Sequence, residues 1–371
     1  MYLLVLAAGA VSFVLSLIGT LFIRAFARRV GFVDHPAGHK AHAAPVALGG
    51  GVAMTAAIAL PIMAGSIIVW LMRTGEPPQS LPEVVRDYLP GMIERVPLLL
   101  GVLGCAVFLH IVGLRDDRRP LGPGVKFAVQ FSVGLVTAWP LGIRAAEFLP
   151  PVLSIALTVL WIVLITNAFN FLDNMDGLSA GVGAIAATIF ALASMNAGQV
   201  FVPTLAALLV GATLGFLVFN FSPASIFMGD AGSLVMGYLL SVVTVLTTFY
   251  DASLEFSPLG VVVPLVVLAV PLYDVTSVVI HRIRLGESPF RGDRRHFSHR
   301  LVNRGLSPRG AVLTIYLATA ATGLPAIVLP SLTWPGAILM LIQCVCVVLI
   351  IAILEHTEHG KRSAALTRDG C

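Results

Sequence analysis

Charged residues are scarce in this sequence, and their scarcity excludes most kinds of soluble protein. Of 371 residues, 11% are Asp, Glu, Lys or Arg and 57% are hydrophobic. A soluble domain carries roughly 25% charged residues, so most of this chain's surface cannot face water. The composition excludes a soluble globular domain, a disordered regulator and a nucleic-acid-binding module. The net charge of +4 is therefore a signal of membrane topology rather than of a nucleic-acid partner.

Cysteine is also rare, and its spacing excludes a cysteine metal site. The chain contains four cysteines, Cys105, Cys344, Cys346 and Cys371. Cys344 and Cys346 are separated by one residue within an apolar run, which is not a spacing of metal ligands. Tandem repeats and low-complexity segments are absent from the sequence as well.

Long apolar runs dominate the sequence. A bilayer core of roughly 30 Å needs about 20 apolar residues for each helix that crosses it. This length predicts an all-α, polytopic integral membrane bundle of 10–11 helices, with residues 1–354 as one membrane domain and 355–371 as a cytoplasmic tail. The predicted spans lie near residues 3–23, 48–72, 95–114, 124–142, 151–168, 178–197, 200–219, 231–250, 258–280, 310–330 and 334–354.

Lys and Arg are distributed unevenly between the two alternating sets of loops, and this predicts the orientation of the chain. Most of them fall in one set, which includes the Arg-rich loop 281–309 and the C-terminal tail. The other set contains Arg73, Arg86, Arg95 and Arg144. Because cytoplasmic loops carry an excess of Lys and Arg, we predict that the N-terminus lies outside and the C-terminus in the cytoplasm.

An Asp pair, Asp116 and Asp117, lies at the predicted cytoplasmic end of the third span. Adjacent carboxylates repel each other, so the pair favours a cation nearby, either a metal ion or the flanking arginines. The alternative interpretation is a solvated loop that these arginines neutralise.

A second motif places four polar side chains at every third position between two apolar spans: Asn167, Asn170, Asp173 and Asp176. Residues three apart fan across one side of a helix. The loop contains no basic residue, so these groups converge without a protein counter-ion. Such oxygen donors suit Mg²⁺, whereas helix capping would explain one or two of them. The pattern therefore favours a ligand site.

Asp230 opens the eighth predicted span, between Gly229 and Gly232. An Asp at this position is a common helix N-cap, which is the alternative interpretation. Because Asn170 and Asp117 are predicted on the same side of the membrane, we expect Asp230 to be a further oxygen donor of the same site.

The 281–309 loop contains the candidates for phosphate binding, Arg294, His296 and His299. Guanidinium groups bind phosphate through two parallel hydrogen bonds. The two histidines have no third zinc ligand at a usual spacing, so the pattern favours phosphate contact over a zinc site.

Lys40 and His42 lie shortly before a helix start that is rich in glycine. Backbone amides at helix starts bind phosphate, although consecutive glycines also permit close helix packing. Asp274 lies inside the ninth predicted span, where an acidic residue should face the bundle interior. Its partner is left open by the sequence.

These segments, in this order, resemble the polyprenyl-phosphate N-acetylhexosamine-1-phosphate transferases over residues 34–299. The most specific matches are Asn-x-x-Asn-x-x-Asp-x-x-Asp-Gly-Leu at residues 167–178 and Phe-Met-Gly-Asp-x-Gly-Ser at 227–233. The branch that transfers N-acetylglucosamine phosphate is more similar than the muramoyl-pentapeptide branch. The resemblance implies a bacterial inner-membrane enzyme with its active site facing the cytoplasm.

The resemblance also implies the reactants and their residues. The substrates would be a UDP-N-acetylhexosamine and undecaprenyl phosphate, with Mg²⁺, which Mn²⁺ could replace, held by Asn170 and Asp230. Phe227 would lie under the uracil, and the Asp pair would serve the attacking phosphate. The implied catalytic residues are Asp116, Asp117, Asp173 and Asp176. The implied substrate-binding residues are Lys40, His42, Asn167, Asn170, Phe227, Arg294, His296 and His299.

Two positions depart from the family pattern. The family's loop reads His-x-His-His, whereas Ser298 replaces the middle histidine here. The family's Asp-Asp-x-x-Asp/Asn motif ends in Pro120, which leaves two carboxylates instead of three.

Other functions would leave different patterns. A secondary transporter places polar sites near the bilayer midplane, whereas the polar residues here cluster at helix ends. Intramembrane prenyltransferases carry Asp at every fourth position, and CDP-alcohol phosphatidyltransferases have Ala-Arg after the glycine that matches Gly177. A phospho-N-acetylmuramoyl-pentapeptide transferase is the alternative within the family. The sugar, the downstream polymer and the formation of a homodimer are left open.

Overall fold

The computed structural model describes residues 1–34, 45–73, 83–247, 261–288 and 296–356. The chain divides into two compact units, Met1–Thr248 and Phe249–Cys371. The first unit contains α1 (Tyr2–Arg29), β1 (Val33–Asp34), β2 (Val46–Ala47), α2 (Gly50–Met72), α3 (Glu83–Arg118), α4 (Pro123–Ala138), α5 (Pro151–Leu172), α6 (Leu178–Asn196), α7 (Phe201–Asn220) and α8 (Asp230–Leu246). The second contains α9 (Val263–Val267), α10 (Ala269–Arg284), α11 (Phe297–Asn303), α12 (Pro308–Gly323), two 3₁₀ turns (Leu324–Ile327 and Leu329–Ser331) and α13 (Trp334–His356).

Eight helices in the described ranges are long and apolar enough to cross a membrane. They are α1, α2, α3, α5, α6, α7, α12 with its 3₁₀ extension, and α13. The prediction of an all-α polytopic membrane bundle is confirmed. The orientation of the termini stays a prediction.

The three other predicted spans coincide with shorter helices. α4 has 16 residues and ends just before Pro140, and α8 has 17 residues. The predicted span 258–280 covers α9 and most of α10, which are separate helices. Pro271 has no backbone N–H, so it cannot bond to the carbonyl of Val267, the residue at which α9 ends.

Close helix packing organises the first unit. Gly215 of α7 faces the α1 backbone so closely that a Cβ there would lie 2.5 Å from the Phe13 carbonyl oxygen. Ser12 and Ser16 of α1 donate hydrogen bonds to the carbonyls of Leu208 and Ala212 at 2.7 and 2.6 Å. Small residues and hydroxyl groups of this kind hold membrane helices together without a hydrophobic driving force.

α8 is the central helix of the first unit. Its residues from Ala231 to Thr244 are all buried, and it packs against α3 and α5. Gly237 permits the contact with α5, because a Cβ there would lie 2.7 Å from Thr166 Cα. The burial of α8 fixes the position of its first residue, Asp230, relative to both neighbours.

Candidate active site

The candidate site lies where several helix ends of the first unit meet. α3, α5 and α7 end here, while α2, α4, α6 and α8 begin here. α3 is 36 residues long, or about 54 Å at 1.5 Å per residue, which exceeds the apolar thickness of a bilayer. Its last four residues, which include the Asp pair, are all charged and follow the apolar run that ends at Leu114.

The segment that leads into α8 is anchored to the start of α2. The Gly50 backbone N donates to the Phe227 carbonyl at 2.9 Å, and Phe227 N donates to the Ala47 carbonyl at 2.8 Å. Gly51 N donates to the Met228 carbonyl at 3.0 Å. These bonds place the half-buried Phe227 side chain beside the first turn of α8. Its contact with a uracil stays a prediction.

Asp117 holds the first turn of α8. Its Oδ1 accepts a hydrogen bond from the Asp230 backbone N at 2.8 Å, and its Oδ2 accepts one from Ala231 N at 3.2 Å. The first N–H groups of a helix have no partner within the helix, and a carboxylate there is favourable to the helix dipole. Asp117 therefore joins the end of α3 to the start of α8.

Three glycines allow the helices to approach at this point. A Cβ at Gly113 of α3 would lie 2.6 Å from the backbone of Asp230 and Ala231. Gly51 of α2 and Gly232 of α8 also face each other, since a Cβ at Gly232 would lie 2.9 Å from Gly51 Cα. The glycines let α2 and α3 contact the backbone of α8 directly.

Gly113→Ala is expected to separate α3 from α8 and to lower both stability and activity. The added methyl group would meet backbone atoms, and such overpacking costs about 1–3 kcal/mol. Thermal unfolding and a transferase assay would measure the two effects. Gly104→Ala on the same helix is the matched control, because a Cβ at Gly104 meets nothing within 4 Å. Equal behaviour of the two variants would contradict the packing role of Gly113.

Lys126, in the first turn of α4, joins two of the predicted acidic residues. Its Nζ lies 2.9 Å from Asp116 Oδ2 and forms a second ion pair with Asp230 Oδ2. The other oxygen of Asp116 accepts a hydrogen bond from Leu121 N at 2.7 Å. Asp230 therefore has a protein counter-ion, supplied by a cation 104 residues away in sequence.

Asn170 completes the cluster around Asp230. Its Nδ2 donates to Asp230 Oδ1 at 2.9 Å and to Ser233 Oγ at 3.0 Å. One turn earlier on α5, Asn167 exchanges hydrogen bonds with Gln130 of α4. The last turn of α5 is thereby joined to both α4 and α8. The structure brings Asn170, Asp116, Asp117 and Asp230 into one network, as their positions at helix ends suggested. Asn167 lies one turn before this network and pairs with Gln130.

The loop between α5 and α6 is tied to the segment before α8. Asp176 Oδ2 accepts a hydrogen bond from Ala224 N at 2.9 Å. Asn220, at the end of α7, accepts one from Gly177 N at 3.0 Å and donates one to the Ile226 carbonyl at 2.9 Å. Asp176 thus holds one wall of the site in place. Its predicted catalytic role stays a prediction.

Asp173 follows the last residue of α5 and has an unusual pKa. Burial and, to a smaller extent, the negative charges of Asp230, Asp117 and Asp176 raise the pKa of its carboxyl to about 8. The negative charges of three other carboxylates act on Asp173, so a cation bound nearby would favour its ionised form.

Asp173→Asn is expected to increase thermal stability in a pH-dependent way when no divalent cation is present. The folded-state pKa of about 8 lies above the ordinary 3.8, so ionisation of Asp173 destabilises the fold as the pH rises between these values. The difference in Tm between variant and wild type should widen from about pH 4 to about pH 8 and then level. Asp87→Asn, at an exposed position of α3, is the control. A difference in Tm that is constant with pH would contradict the repulsion.

The second unit contains a buried pair that includes another predicted residue. Asp274 Oδ2 lies 2.9 Å from His296 Nδ1, and Asp274 Oδ1 accepts a hydrogen bond from Phe297 N at 2.7 Å. Asp274 is 1% exposed and His296 6% exposed. Asp274 therefore faces the interior, as predicted, and orients the His296 ring. His299 lies one turn further along α11 and is half-buried.

Three predicted residues, Lys40, His42 and Arg294, lie outside the described residues, and so does most of the predicted tail. Sequence reasoning missed Lys126, Gln130 and Ser233 as members of the site. Lys126 had one available signal: it follows the helix start Gly122-Pro123-Gly124 only ten residues after Asp116, and therefore belongs to the same end of the bundle.

A metal ion held by Asp230 and Asn170 would have to share its coordination with substrate. Within the described ranges, no group of three or more His, Cys, Asp or Glu side chains is arranged to hold a metal ion. Asp230 and Asn170 are in contact and offer one carboxylate and one amide oxygen. Mg²⁺ is usually bound by one or two carboxylates together with water and substrate phosphates.

The fold and this network define a polytopic membrane protein with an acidic site at one end of its helices. The family model of glycosyl transferase family 4 matches residues 99–248, which include the whole network. The chain belongs to glycosyl transferase family 4, and the predicted family resemblance is confirmed.

Curated relatives of the chain carry transferase names. A probable undecaprenyl-phosphate N-acetylglucosaminyl 1-phosphate transferase of Bacillus subtilis is 33% identical over 87% of this chain and 85% of its own length. A decaprenyl-phosphate N-acetylglucosaminephosphotransferase of Mycolicibacterium smegmatis is 34% identical over 83% and 78%. The undecaprenyl-phosphate alpha-N-acetylglucosaminyl 1-phosphate transferase of Escherichia coli K12 is 26% identical over 81% and 77%.

Proposed function

We propose that the protein transfers N-acetylglucosamine-1-phosphate from UDP-N-acetylglucosamine to undecaprenyl phosphate and releases UMP. The names of the relatives suggest the transferred group and the acceptor. The observation that carries the proposal is the contact network in which Lys126 and Asn170 meet Asp230 at the junction of α4, α5 and α8. Phosphoryl transfer depends chiefly on positioning and on the neutralisation of charge, and this network provides both.

The reaction is a displacement at the sugar-linked phosphorus. An oxygen of the polyprenyl phosphate forms the new bond, the bond to the UMP oxygen breaks, and a polyprenyl-diphospho-sugar results. The second pKa of a phosphate monoester is about 6, so the acceptor is already largely dianionic at neutral pH. A strong protein base is therefore not required.

The hydrogen bonds and the ion pair of Asp116 and Asp117 support direct attack by the acceptor. Both oxygens of Asp117 accept hydrogen bonds from the α8 backbone. The oxygens of Asp116 contact Lys126 and the Leu121 amide. Such engaged carboxylates are poor nucleophiles, which argues against a phospho-aspartate intermediate. Exchange of labelled UMP into UDP-N-acetylglucosamine in the absence of any lipid acceptor would contradict direct attack.

We assign a Mg²⁺ requirement to the site, with Asn170 and Asp230 as the protein ligands and Mn²⁺ as a substitute metal. When bound, the ion supplies positive charge to the diphosphate. The residues around it orient the substrates: Lys126 offers an ammonium group to phosphate oxygens, and Asp117 keeps the start of α8 in place. Removal of divalent cations with EDTA should abolish turnover, and Mg²⁺ should restore it.

The active site is assigned to the cytoplasmic face of the bacterial inner membrane. The distribution of Lys and Arg supports this orientation, and the polyprenyl chain of the acceptor can reach the site only from within the bilayer. Labelling of a single introduced cysteine beside Asp117 with a membrane-impermeant reagent would test it. Labelling of intact cells from outside would contradict the assignment.

The substrate assignment is tested with purified protein in detergent, undecaprenyl phosphate and a panel of UDP-sugars, with release of UMP as the measurement. We expect turnover with UDP-N-acetylglucosamine and none with UDP-N-acetylmuramoyl-pentapeptide. The reverse preference would favour the alternative within the family. Substrate movement that depends on a proton gradient in vesicles, without UMP release in detergent, would favour a transporter.

A further inference from the structure

His110 is a titratable residue within an apolar helix. It lies on α3, in a run from Val96 to Leu114 that contains no Asp, Glu, Lys or Arg. Ionisable side chains inside membrane-spanning segments are costly and rare. Where they occur, they face the interior of the bundle and mark functional sites. The partners of His110 therefore indicate what it does.

The ring of His110 connects three helices. Its Nδ1 atom lies 2.9 Å from the backbone carbonyl oxygen of Ala231, in the first turn of α8. The same atom lies 3.2 Å from Oγ1 of Thr55 in α2. Ala231 is fully buried and Thr55 is 6% exposed. His110 therefore holds α2 and α3 against the start of α8, the helix whose first residue is Asp230.

The carbonyl partner determines where the ring carries a proton. A carbonyl oxygen only accepts hydrogen bonds, so Nδ1 must carry a hydrogen and donate it to Ala231. The hydroxyl oxygen of Thr55 then accepts the longer branch of the same hydrogen bond at 3.2 Å. Only a side chain that donates from the position of Nδ1 can replace His110 in this contact.

Ala231, the residue after Asp230, is bonded to α3 through both polar groups of its backbone. Asp117 Oδ2 accepts a hydrogen bond from Ala231 N at 3.2 Å, and His110 donates to the Ala231 carbonyl at 2.9 Å. His110 and Asp117 lie about two turns apart on the same face of α3. Between them, a Cβ at Gly113 would lie 2.6 Å from Ala231 Cα. This face of α3 therefore fixes the start of α8.

The hydrogen bond from His110 is not needed to satisfy the carbonyl of Ala231. In an α-helix each carbonyl accepts a hydrogen bond from the N–H four residues later, and Val235 of α8 provides that donor. Loss of the His110 donor should therefore leave no buried carbonyl without a partner, which is the costly case. What the His110 bond contributes is the position of α8.

We propose that His110 is a positioning residue for the transfer reaction, because its Nδ1–H bond fixes the start of α8 and with it the Asp230 carboxylate. Displacement of that carboxylate would disturb its contacts with Lys126 and Asn170. Loss of a residue that orients such a group from behind typically costs about 10–100-fold in activity. The inference rests on the proposed function, since it assigns His110 to that reaction.

Three variants of the full-length protein test the bond. The amide nitrogen of asparagine is attached to Cγ, as Nδ1 is in histidine, whereas that of glutamine lies one atom further out, as Nε2 does. His110→Asn can therefore donate to Ala231 from the position of Nδ1, while His110→Gln cannot and His110→Leu has no donor. The comparison of asparagine with glutamine stands even if His110→Leu does not fold.

Ser12→Ala is the matched control for these variants. It also removes a buried hydrogen bond between helices, the one from Ser12 in α1 to the Leu208 carbonyl in α7 at 2.7 Å. Neither of these residues belongs to the network around Asp230. Ser12→Ala should therefore lower the Tm and leave the start of α8 and the rate of UMP release unchanged.

Hydrogen–deuterium exchange of the peptide that covers the start of α8 measures how firmly this turn is held, with no substrate or metal present. Exchange should be faster in His110→Leu and His110→Gln than in the wild type. His110→Asn and Ser12→Ala should exchange like the wild type. Equal exchange in His110→Asn and His110→Gln would overturn the proposal, because the Nδ1 donor would then not hold the turn.

The rate of UMP release from UDP-N-acetylglucosamine and undecaprenyl phosphate tests the role in the reaction. We expect losses of about 10–100-fold in His110→Leu and His110→Gln and recovery in His110→Asn. A wild-type rate in His110→Gln, or an equal loss in all three His110 variants, would overturn the proposal while the proposed function stands. If the wild type itself releases no UMP, the proposed function is wrong, and the role of His110 in the reaction is wrong with it.

Discussion

Asp230→Asn should reduce the rate of UMP release by about 10²–10³-fold. Asp230 is the residue at which the network converges, since it contacts Lys126 and Asn170 through its side chain and Asp117 through its backbone. Asparagine keeps the shape of the side chain and one acceptor oxygen, so the fold should be retained. The loss of activity would then report the missing negative charge.

The controls for Asp230→Asn separate charge from folding. Asp87→Asn removes a carboxylate from an exposed position near the start of α3 and should leave the rate unchanged. Asn170→Ala should also lose activity, because it removes the side chain that contacts Asp230 and Ser233. If Asp230→Asn unfolds at the wild-type temperature and turns over within about threefold of the wild-type rate, the assignment of the site to Asp230 is wrong.

Hydropathy predicted the long helices well, because an apolar run of membrane-spanning length is a local feature of the sequence. The predicted span near 178–197, for example, differs from α6 by one residue at its end. The shorter helices α4, α9 and α10 were predicted less well. Their breaks depend on single prolines within apolar runs, and hydropathy does not register the loss of a backbone N–H.

Part of the site was predictable for a similar reason. Asn170 and Asp230 lie 60 residues apart, but each lies at the end of an apolar run on the same predicted side of the membrane. Residues at helix ends on the same face of a membrane lie at a similar depth. Only such residues therefore need to be considered as partners of one another. The regular spacing from Asn167 to Asp176 then marked the end of α5, where Asn170 contacts Asp230.

The pairings themselves were not predictable, because no local pattern encodes them. Asp117 was expected to serve the attacking phosphate, which stays a prediction, and the hydrogen bonds from the α8 backbone to its oxygens were not foreseen. Lys126 was not predicted to contact either Asp116 or Asp230. Asp274 and His296 lie on separate helical segments, so only the fold could show that they pair.

Lys126→Met is expected to have the second large effect, a loss of activity of about 10²-fold or more. The substitution keeps an apolar side chain of similar length and removes the cation that pairs with Asp116 and Asp230. The two carboxylates would then repel each other without compensation, so the Tm should fall as well. Lys126→Arg keeps the charge and should retain more stability than Lys126→Met.

A second substitution separates the two roles of Lys126. In Lys126→Met/Asp116→Asn, one of the two repelling charges is gone, so most of the Tm should return. Activity should not return, because no ammonium group faces the substrate phosphates. Recovery of both properties would show that Lys126 acts only by neutralising Asp116.

The Mg²⁺ response of Lys126→Met tests whether lysine and a divalent cation act on the same carboxylates. Without the ammonium group, Asp116 and Asp230 form a more negative site, and a cation that binds the folded protein raises its stability by mass action. Mg²⁺ should therefore raise the Tm of Lys126→Met more than that of the wild type when no substrate is present. The double variant Lys126→Met/Asp230→Asn should lack this extra response. If Mg²⁺ shifts all three proteins equally, the ion binds elsewhere and Asp230 is not its ligand.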